Sequence, residues 1–304
     1  MIGDAPPVDA GRVIELARMA EAAGLDSVWV GDSLTAKPRL EPLATLAAVA
    51  VHTGRVRLGT AVLLAALRHP VLLAQSMATV DLISKGRLVI GAGVGGAFSD
   101  DQLREWQAAG VAPSKRARRL EEIVQIVQGL GSGEPVTFSG QHFNLDQVVM
   151  APRPVQPGGV PILLASHWRS QQEAQIARAA RFGNGLISIS DTPEEYSKLV
   201  KRVRSIRAGL GRDTAQFETA FYLTVTLGHD SSKAESEAGE FLMRYYGANI
   251  WGTRWGPFGE PGRIKDRMAE YVEAGAQTLV VRFASFEPEQ QLKVFLDRVA
   301  PEFF

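Results

Sequence analysis

Two patterns of apolar residues alternate along the chain. Stretches with a period of three to four predict helices, and short continuous apolar runs predict strands buried on both faces. Val13, Leu16, Ala17 and Ala20 mark one helical face, with Asp9 in the N-cap region and Gly24 as the stop. The run Ser27–Gly31 then reads as a strand. The plan repeats with a helix over 41–53 and a strand over 56–62, then a helix over 70–84 and a strand over 88–92. After that the rhythm loosens. A helix is predicted over 114–129 and a small hairpin over 136–143 turning at Ser139-Gly140, and the proline-rich stretch 152–161 reads as a loop. Strands over 161–165, 185–189, 218–227 and 278–283 follow, with helices over 170–181, 193–208, 231–246, 260–274 and 288–300. The helix end, glycine and strand of Glu21–Val30 are echoed by Val272–Val281, as successive units of a parallel sheet would require.

Seven buried strands, each followed by a helix, predict an α/β fold of the (β/α)8 TIM-barrel type rather than an open doubly wound sheet. One domain is expected over residues 1–304. A closed barrel of this type needs eight strands, yet no apolar run precedes Pro6-Pro7. Either Met1-Ile2 is the stub of a first strand, or the barrel lacks that strand and closes unconventionally.

Composition narrows the function classes. Lys+Arg and Asp+Glu both number 33, so no excess of cations marks a phosphate-backbone footprint, and no nucleic-acid partner is expected. Cysteine is absent, which excludes a disulfide scaffold, an iron–sulfur cluster and a thiolate nucleophile. No apolar run reaches the roughly 18 residues of a membrane span, and the N-terminus has no secretory pattern. A cytoplasmic location and no membrane partner are the expectations. The five histidines, at 52, 69, 142, 167 and 229, have no metal-ligand spacing, so no metal site is expected. No G-x-S-x-G elbow supports a serine hydrolase.

Gly91-Ala92-Gly93-Val94-Gly95-Gly96 matches G-x-G-x-x-G formally, but Ser99-Asp100 delays the next helix, so the dinucleotide-binding context is missing. Close backbone approach to a ligand at Gly93 and Gly95 is the better reading. Ala165-Ser166-His167-Trp168-Arg169 runs from a strand end into a helix start. A serine with free backbone N–H groups and a nearby arginine there is a natural phosphate cradle. Arg169 reads equally as an exposed helix charge, and Ser188 is a secondary candidate. Trp251, Arg254 and Trp255 lie in a glycine- and aromatic-rich segment that reads either as a substrate wall or lid, or as aromatic packing beneath a loop.

Four stretches together resemble one family. Glu21 to Leu34 (EAAGLDSVWVGDSL), Arg55 to Gly96 with its RHP and GAGVGG motifs, Arg119 to Pro161, and Tyr271 to Phe283 are similar, in the same order, to the bacterial-luciferase-like flavin- and F420-dependent oxidoreductases. The resemblance implies a TIM barrel with FMN or the deazaflavin F420 at the C-terminal mouth. It also implies a first strand ahead of the segment seen here, which favours a clipped N-terminus. The activity implied is hydride transfer, or flavin-dependent monooxygenation, on a small organic substrate. A homodimer is implied, with a flavin reductase as partner in the FMN case. The family carries an acid and often a histidine after its second strand; here these positions are Asp32 and Ser33, so the histidine is missing. Asp32 is then a site carboxylate or a capping acid. A non-proline cis peptide against the cofactor's central ring is implied at Thr60-Ala61-Val62, between Ala61 and Val62. His69, in Arg68-His69-Pro70, is the best-placed histidine for a proton donor, or a packed structural one. Ser166 and the backbone after it, His167, Trp168 and Arg169, would take the cofactor phosphate. The alternative from another class is a non-catalytic flavin-binding subunit or partner protein, motivated by Ser33 and the missing strand. A metal-dependent barrel hydrolase is disfavoured by the histidine spacing.

Overall fold

The computed structural model describes residues 9–247, 252–254 and 256–303. The chain opens with helix α1 (Ala10–Ala22), capped by the Asp9 carboxylate on the Gly11 N–H, and strand β1 (Ser27–Val30). Helix α2 (Pro42–His52), strand β2 (Arg57–Leu63), helix α3 (Pro70–Ser84) and strand β3 (Leu88–Ala92) repeat the unit. Helices α4 (Asp100–Ala108) and α5 (Arg116–Ser132) then precede an antiparallel hairpin of β4 (Val136–Ser139) and β5 (Asn144–Val148). Strand β6 (Ile162–Ala165), helix α6 (Glu173–Phe182), strand β7 (Gly185–Ile189), helix α7 (Pro193–Gly209), strand β8 (Glu218–Leu227) and helix α8 (Ser231–Tyr246) follow. The short strand β9 (Phe258–Gly259), helix α9 (Pro261–Glu273), strand β10 (Thr278–Phe283) and helix α10 (Pro288–Arg298) complete the order.

Seven strands form one parallel path, β1-β2-β3-β6-β7-β8-β10, with β9 beside β8. The path curls on itself. Trp29, Ala61, Val89, Leu163, Ile187, Ala220, Tyr222 and Val280, contributed by all seven strands, make one buried interior cluster. The outward residues pack with the helices in a second, larger core. Apolar layers on both faces account for the near-continuous hydrophobic runs of the strands.

Among the described residues β1 pairs with β2 alone and β10 with β8 alone. A cavity of about 260 Å³ runs between them, lined by Val28, Trp29, Thr278 and Val280 of the two strands and by Leu16 and Leu292 of the helices. Strands β1 and β10 are thus the two ends of the path among the described residues. Met1-Ile2, the expected stub, lies outside the described residues.

Three details differ from the sequence expectation. Helix α4 was not expected, because its nine residues are mostly polar; the Ser99/Gln102 capping box starts it. The hairpin's second strand begins at Asn144, and residues 140–143 form the connection. Helix α6 starts at Glu173, after a short 3₁₀ turn over Trp168–Ser170. No helix among the described residues is long and apolar enough to cross a membrane.

Candidate active site at the C-terminal mouth of the barrel

The interior narrows between β2 and β3. Ala61 and Val62 belong to the interior cluster, and the peptide between them is cis, as the resemblance implied. Gly91 and Gly93 face this point. A Cβ on Gly91 would lie 2.3 Å from the Thr60 carbonyl oxygen, and one on Gly93 would lie 2.8 Å from Val62 Cγ2. At Gly91 glycine is required by close approach of backbone to backbone, and at Gly93 by the Val62 side chain. The result is a smooth floor of Ala61, Val62 and Gly93 with the Ala165 methyl beside it, suited to one face of a flat ring. Thr60 takes no part in that face, because its hydroxyl donates to the Gly91 carbonyl at 2.9 Å. Gly95 serves a different purpose from the one expected. Its φ is +77°, and a Cβ there would meet the Trp106 ring of α4 at 2.9 Å.

The expected phosphate cradle after β6 is already filled. The Ser166 N–H donates to Ile187 O within the sheet. The Trp168 and Arg169 N–H groups donate to the two Asp191 oxygens at 2.9 and 3.1 Å. Ser188 Oγ donates to Asp191 Oδ2 at 2.7 Å, and the His167 N–H donates to Gln175 Oε1. Burial pushes the Asp191 carboxyl up from its ordinary value, against those donors, which hold it down. A carboxylate from β7's end therefore occupies the amide nest that an incoming phosphate would need, which corrects the expectation for the backbone of 166–169. Ser166 Oγ is buried without a partner. Sequence reading missed Asp191 because an acid ahead of Thr192-Pro193 looks like ordinary helix-start chemistry.

Arg169 and Arg254 converge beside this nest. Arg169 Nε donates to Ser190 Oγ at 2.7 Å, and Arg254 Nη1 donates to Ser190 O at 2.9 Å. Ser190 adopts φ +64°, an uncommon conformation for a residue with a side chain. Arg254 also forms a two-pronged pair with Glu195, holding that carboxyl below its ordinary range. The structure thus brings Arg254, Arg169, Ser188 and His167 together. Trp251 and Trp255 lie outside the described residues.

His167 is half-buried, and burial together with Arg169 pushes its imidazole down to about 4. The neutral ring is then favoured in the folded chain, so the unfolded chain takes up the proton first as pH falls. Stability from this group is complete above about 6.5 and is lost between there and about 4. A loss of about 2–3 kcal/mol over that range is expected, and His167→Gln should remove it; denaturant titrations at several pH values check this.

Asp32 is tied to neighbouring loops, and His69 lies at the rim. The buried Asp32 carboxylate is bidentate to Arg68, at 2.5 and 3.0 Å, and accepts the Leu64 N–H at 2.8 Å. Its lone pairs are spent on fastening the loops after β1 and β2. His69 is exposed on the rim, edge-on to Phe143 at 5.7 Å, with Arg119 over the same ring. It packs against the β4-β5 connection. Ser33 is a turn residue whose hydroxyl donates to Glu105.

A second polar group at the mouth was missed. Arg282, fully buried on β10, donates to Tyr246 Oη at 2.7 Å and lies over the Tyr245 and Phe241 rings. Arg39 bonds Tyr245 Oη and reaches Asp32 O, its guanidinium lying where a Gly31 Cβ would be. Thr224, opposite Arg282 in register, has a buried hydroxyl without a partner. The legible signal was Arg282 itself, a cation inside the apolar run Thr278–Phe283.

The sequence fits one known group of proteins. Residues 2–253 match the family model of luciferase-like monooxygenases. The chain belongs to that family. It is accordingly an oxidoreductase by class. Among curated relatives it is similar to the F420-dependent glucose-6-phosphate dehydrogenase of Kineococcus radiotolerans, with 33% identity over 74% of this chain and 66% of that protein. The corresponding protein of Amycolatopsis mediterranei is 29% identical, over 95% of this chain and 93% of its own. In structure the chain resembles the monooxygenase RslO1 of Streptomyces bottropensis, with a TM-score of 0.81, 24% identity and coverage of 97% and 95%. It also resembles the coenzyme F420-dependent tetrahydromethanopterin reductase of Methanopyrus kandleri, with a TM-score of 0.79, 19% identity and coverage of 100% and 98%. These likenesses establish the TIM-barrel fold.

Proposed function

We propose that this luciferase-like oxidoreductase moves a hydride between a small organic substrate and coenzyme F420 at the C-terminal mouth of its barrel. The observation that carries the reading is the low apolar floor where the Val62 side chain meets Gly93, in a chain with relatives named F420-dependent glucose-6-phosphate dehydrogenase. The floor residues fit a flat ring, and the Thr224 hydroxyl is an unused polar atom in the same interior. The amide nest at Trp168 and Arg169 does not fit a phosphate while Asp191 fills it, so an anionic tail would have to meet the Arg169 and Arg254 side chains beside it, Arg254 already paired with Glu195. When bound, the cofactor supplies the site of hydride addition and removal. The chain's own part is to hold that ring against Ala61–Val62, to exclude water with the Arg282–Tyr245–Tyr246 group, and to orient the substrate above the floor. A second reading has FMN in the same place and an oxygenated product, with a flavin reductase as electron source; the family's description as monooxygenases favours it. A homodimer and a cytoplasmic setting accompany either reading.

Titrating purified protein separately with F420 and FMN, and following each chromophore's absorbance, tests this. Micromolar or tighter binding of F420, with weaker binding of FMN, is the expected result. Tighter FMN binding turns the assignment to the second reading. No binding of either at micromolar concentrations overturns both.

A further inference from the structure

We propose that His167 is a catalytic residue whose Nε2–H donates a hydrogen bond to a substrate carbonyl oxygen, holding the negative charge that builds there as a hydride leaves reduced F420 for the carbonyl carbon or the carbon conjugated to it, with water supplying the proton that completes the reduced product. This rests on the hydride-transfer reading above.

Three observations place the group. First, His167 continues the inward face of β6. Leu163 and Ala165 belong to the barrel interior, and His167 keeps extended backbone at φ −137° and ψ 129°. The alternation of the strand therefore carries two residues past Ala165, to the rim above the floor that Ala165 shares with Val62 and Gly93. Second, the ring's proton is assigned by its partners. Nδ1 accepts the Ile189 N–H at 3.3 Å, and the Ser188 hydroxyl beside it, at 3.2 Å, sends its own proton to Asp191. Nδ1 is thus an acceptor, and the proton of the neutral ring sits on Nε2. Third, Nε2 has no hydrogen-bond partner among the described residues and is not a buried atom, so it is open to the mouth.

Here one nitrogen is fixed by backbone, a serine–aspartate pair stands behind it, and the other nitrogen is presented at the face where barrel chemistry occurs. Burial and Arg169 keep the ring neutral at working pH. A neutral donor aimed at a developing oxyanion stabilises it without first giving up a proton, and it does not repel the cations Arg169 and Arg254 nearby. This departs from the expectation that His167 binds the cofactor phosphate.

The test compares His167→Leu with His167→Gln, using reduced F420 and cyclohexenone as the hydride acceptor. Leucine removes the donor, and glutamine keeps an N–H at similar reach. The leucine variant should lose about 10²–10³-fold in kcat and the glutamine variant about tenfold or less, as for other single oxyanion donors. F420 affinity should stay within about twofold in both, a readout that also reports an intact barrel. Independently of turnover, ¹⁵N imidazole resonances should show a neutral Nε2–H tautomer at pH 6 whose signal moves when cyclohexenone is added. Equal loss in both variants, a loss that follows weakened F420 binding, or an Nδ1–H tautomer overturns the role of His167. Wild-type protein that binds no F420 overturns the hydride-transfer reading instead.

Discussion

Glu105→Ala is expected to cost about 3–5 kcal/mol of folding stability and to disorder the loop after β1. The buried Glu105 side chain projects from α4 beneath that loop. One of its oxygens accepts the Ser33 hydroxyl at 2.7 Å and the backbone N–H groups of Leu34, Thr35 and Ala36 at 2.5, 2.9 and 3.2 Å. Four donors on a single carboxylate oxygen form the floor of a turn that has no secondary structure of its own. Alanine would leave those donors without an acceptor in a partly buried place, at about 1–3 kcal/mol each where water does not replace it. Glu105→Gln keeps an oxygen but loses the charge, so about 1–2 kcal/mol is expected. The loop also carries Lys37 and Arg39 to Tyr246 and Tyr245, so the alanine variant should disturb the mouth near Arg282 as well. Urea denaturation reads the stability, and Tyr245 and Tyr246 side-chain resonances read the mouth. A loss below 1 kcal/mol for the alanine variant would show that water substitutes for the carboxylate.

The seven barrel strands and most of the helices were legible because each buries an apolar face, and burial leaves a period in the sequence. Strand β10 was found this way, and so was the cis peptide's neighbourhood, through its resemblance to a family. Helix α4 was not, since its contribution is one buried acid and one buried tryptophan, Glu105 and Trp106, which make no period. The site was less legible than the fold for a related reason. Asp191, Glu105 and Asp32 are all buried carboxylates that fasten loops, and nothing in sequence separates an acid that fastens a loop from one that reacts. Asp32 read as a reacting group because of where it falls in the chain; its partner Arg68 lies 36 residues away. His69 and His167 both follow strand ends, and a string of residues cannot say which ring packs on Phe143 and which presents a free nitrogen. Arg282 was visible as a charge in an apolar run, but its tyrosine partners come from α8.

Gly91→Ala is expected to lower stability by about 3 kcal/mol and to weaken cofactor binding beyond detection at micromolar concentrations. A methyl at Gly91 would sit 2.3 Å from the Thr60 carbonyl oxygen and 3.6 Å from Val62 Cγ1. The first contact is with backbone, so no side chain can swing aside to relieve it. Strands β2 and β3 must separate, and they do so where their register already shifts, between Thr60 and Leu63. The Thr60 hydroxyl bond to Gly91 O would stretch with them. Because Ala61 and Val62 follow directly, the floor moves as the strand moves, and a flat ring loses its contact even in a chain that remains folded. Gly54→Ala is the control, since nothing lies within 4 Å of a Cβ there and its backbone is ordinary; a change within about 0.5 kcal/mol is expected. Thermal melts of both variants beside F420 and FMN titrations separate the two consequences. A Gly91→Ala variant that melts with the wild type and still binds the cofactor would mean that the β2-β3 floor is not where the ring rests.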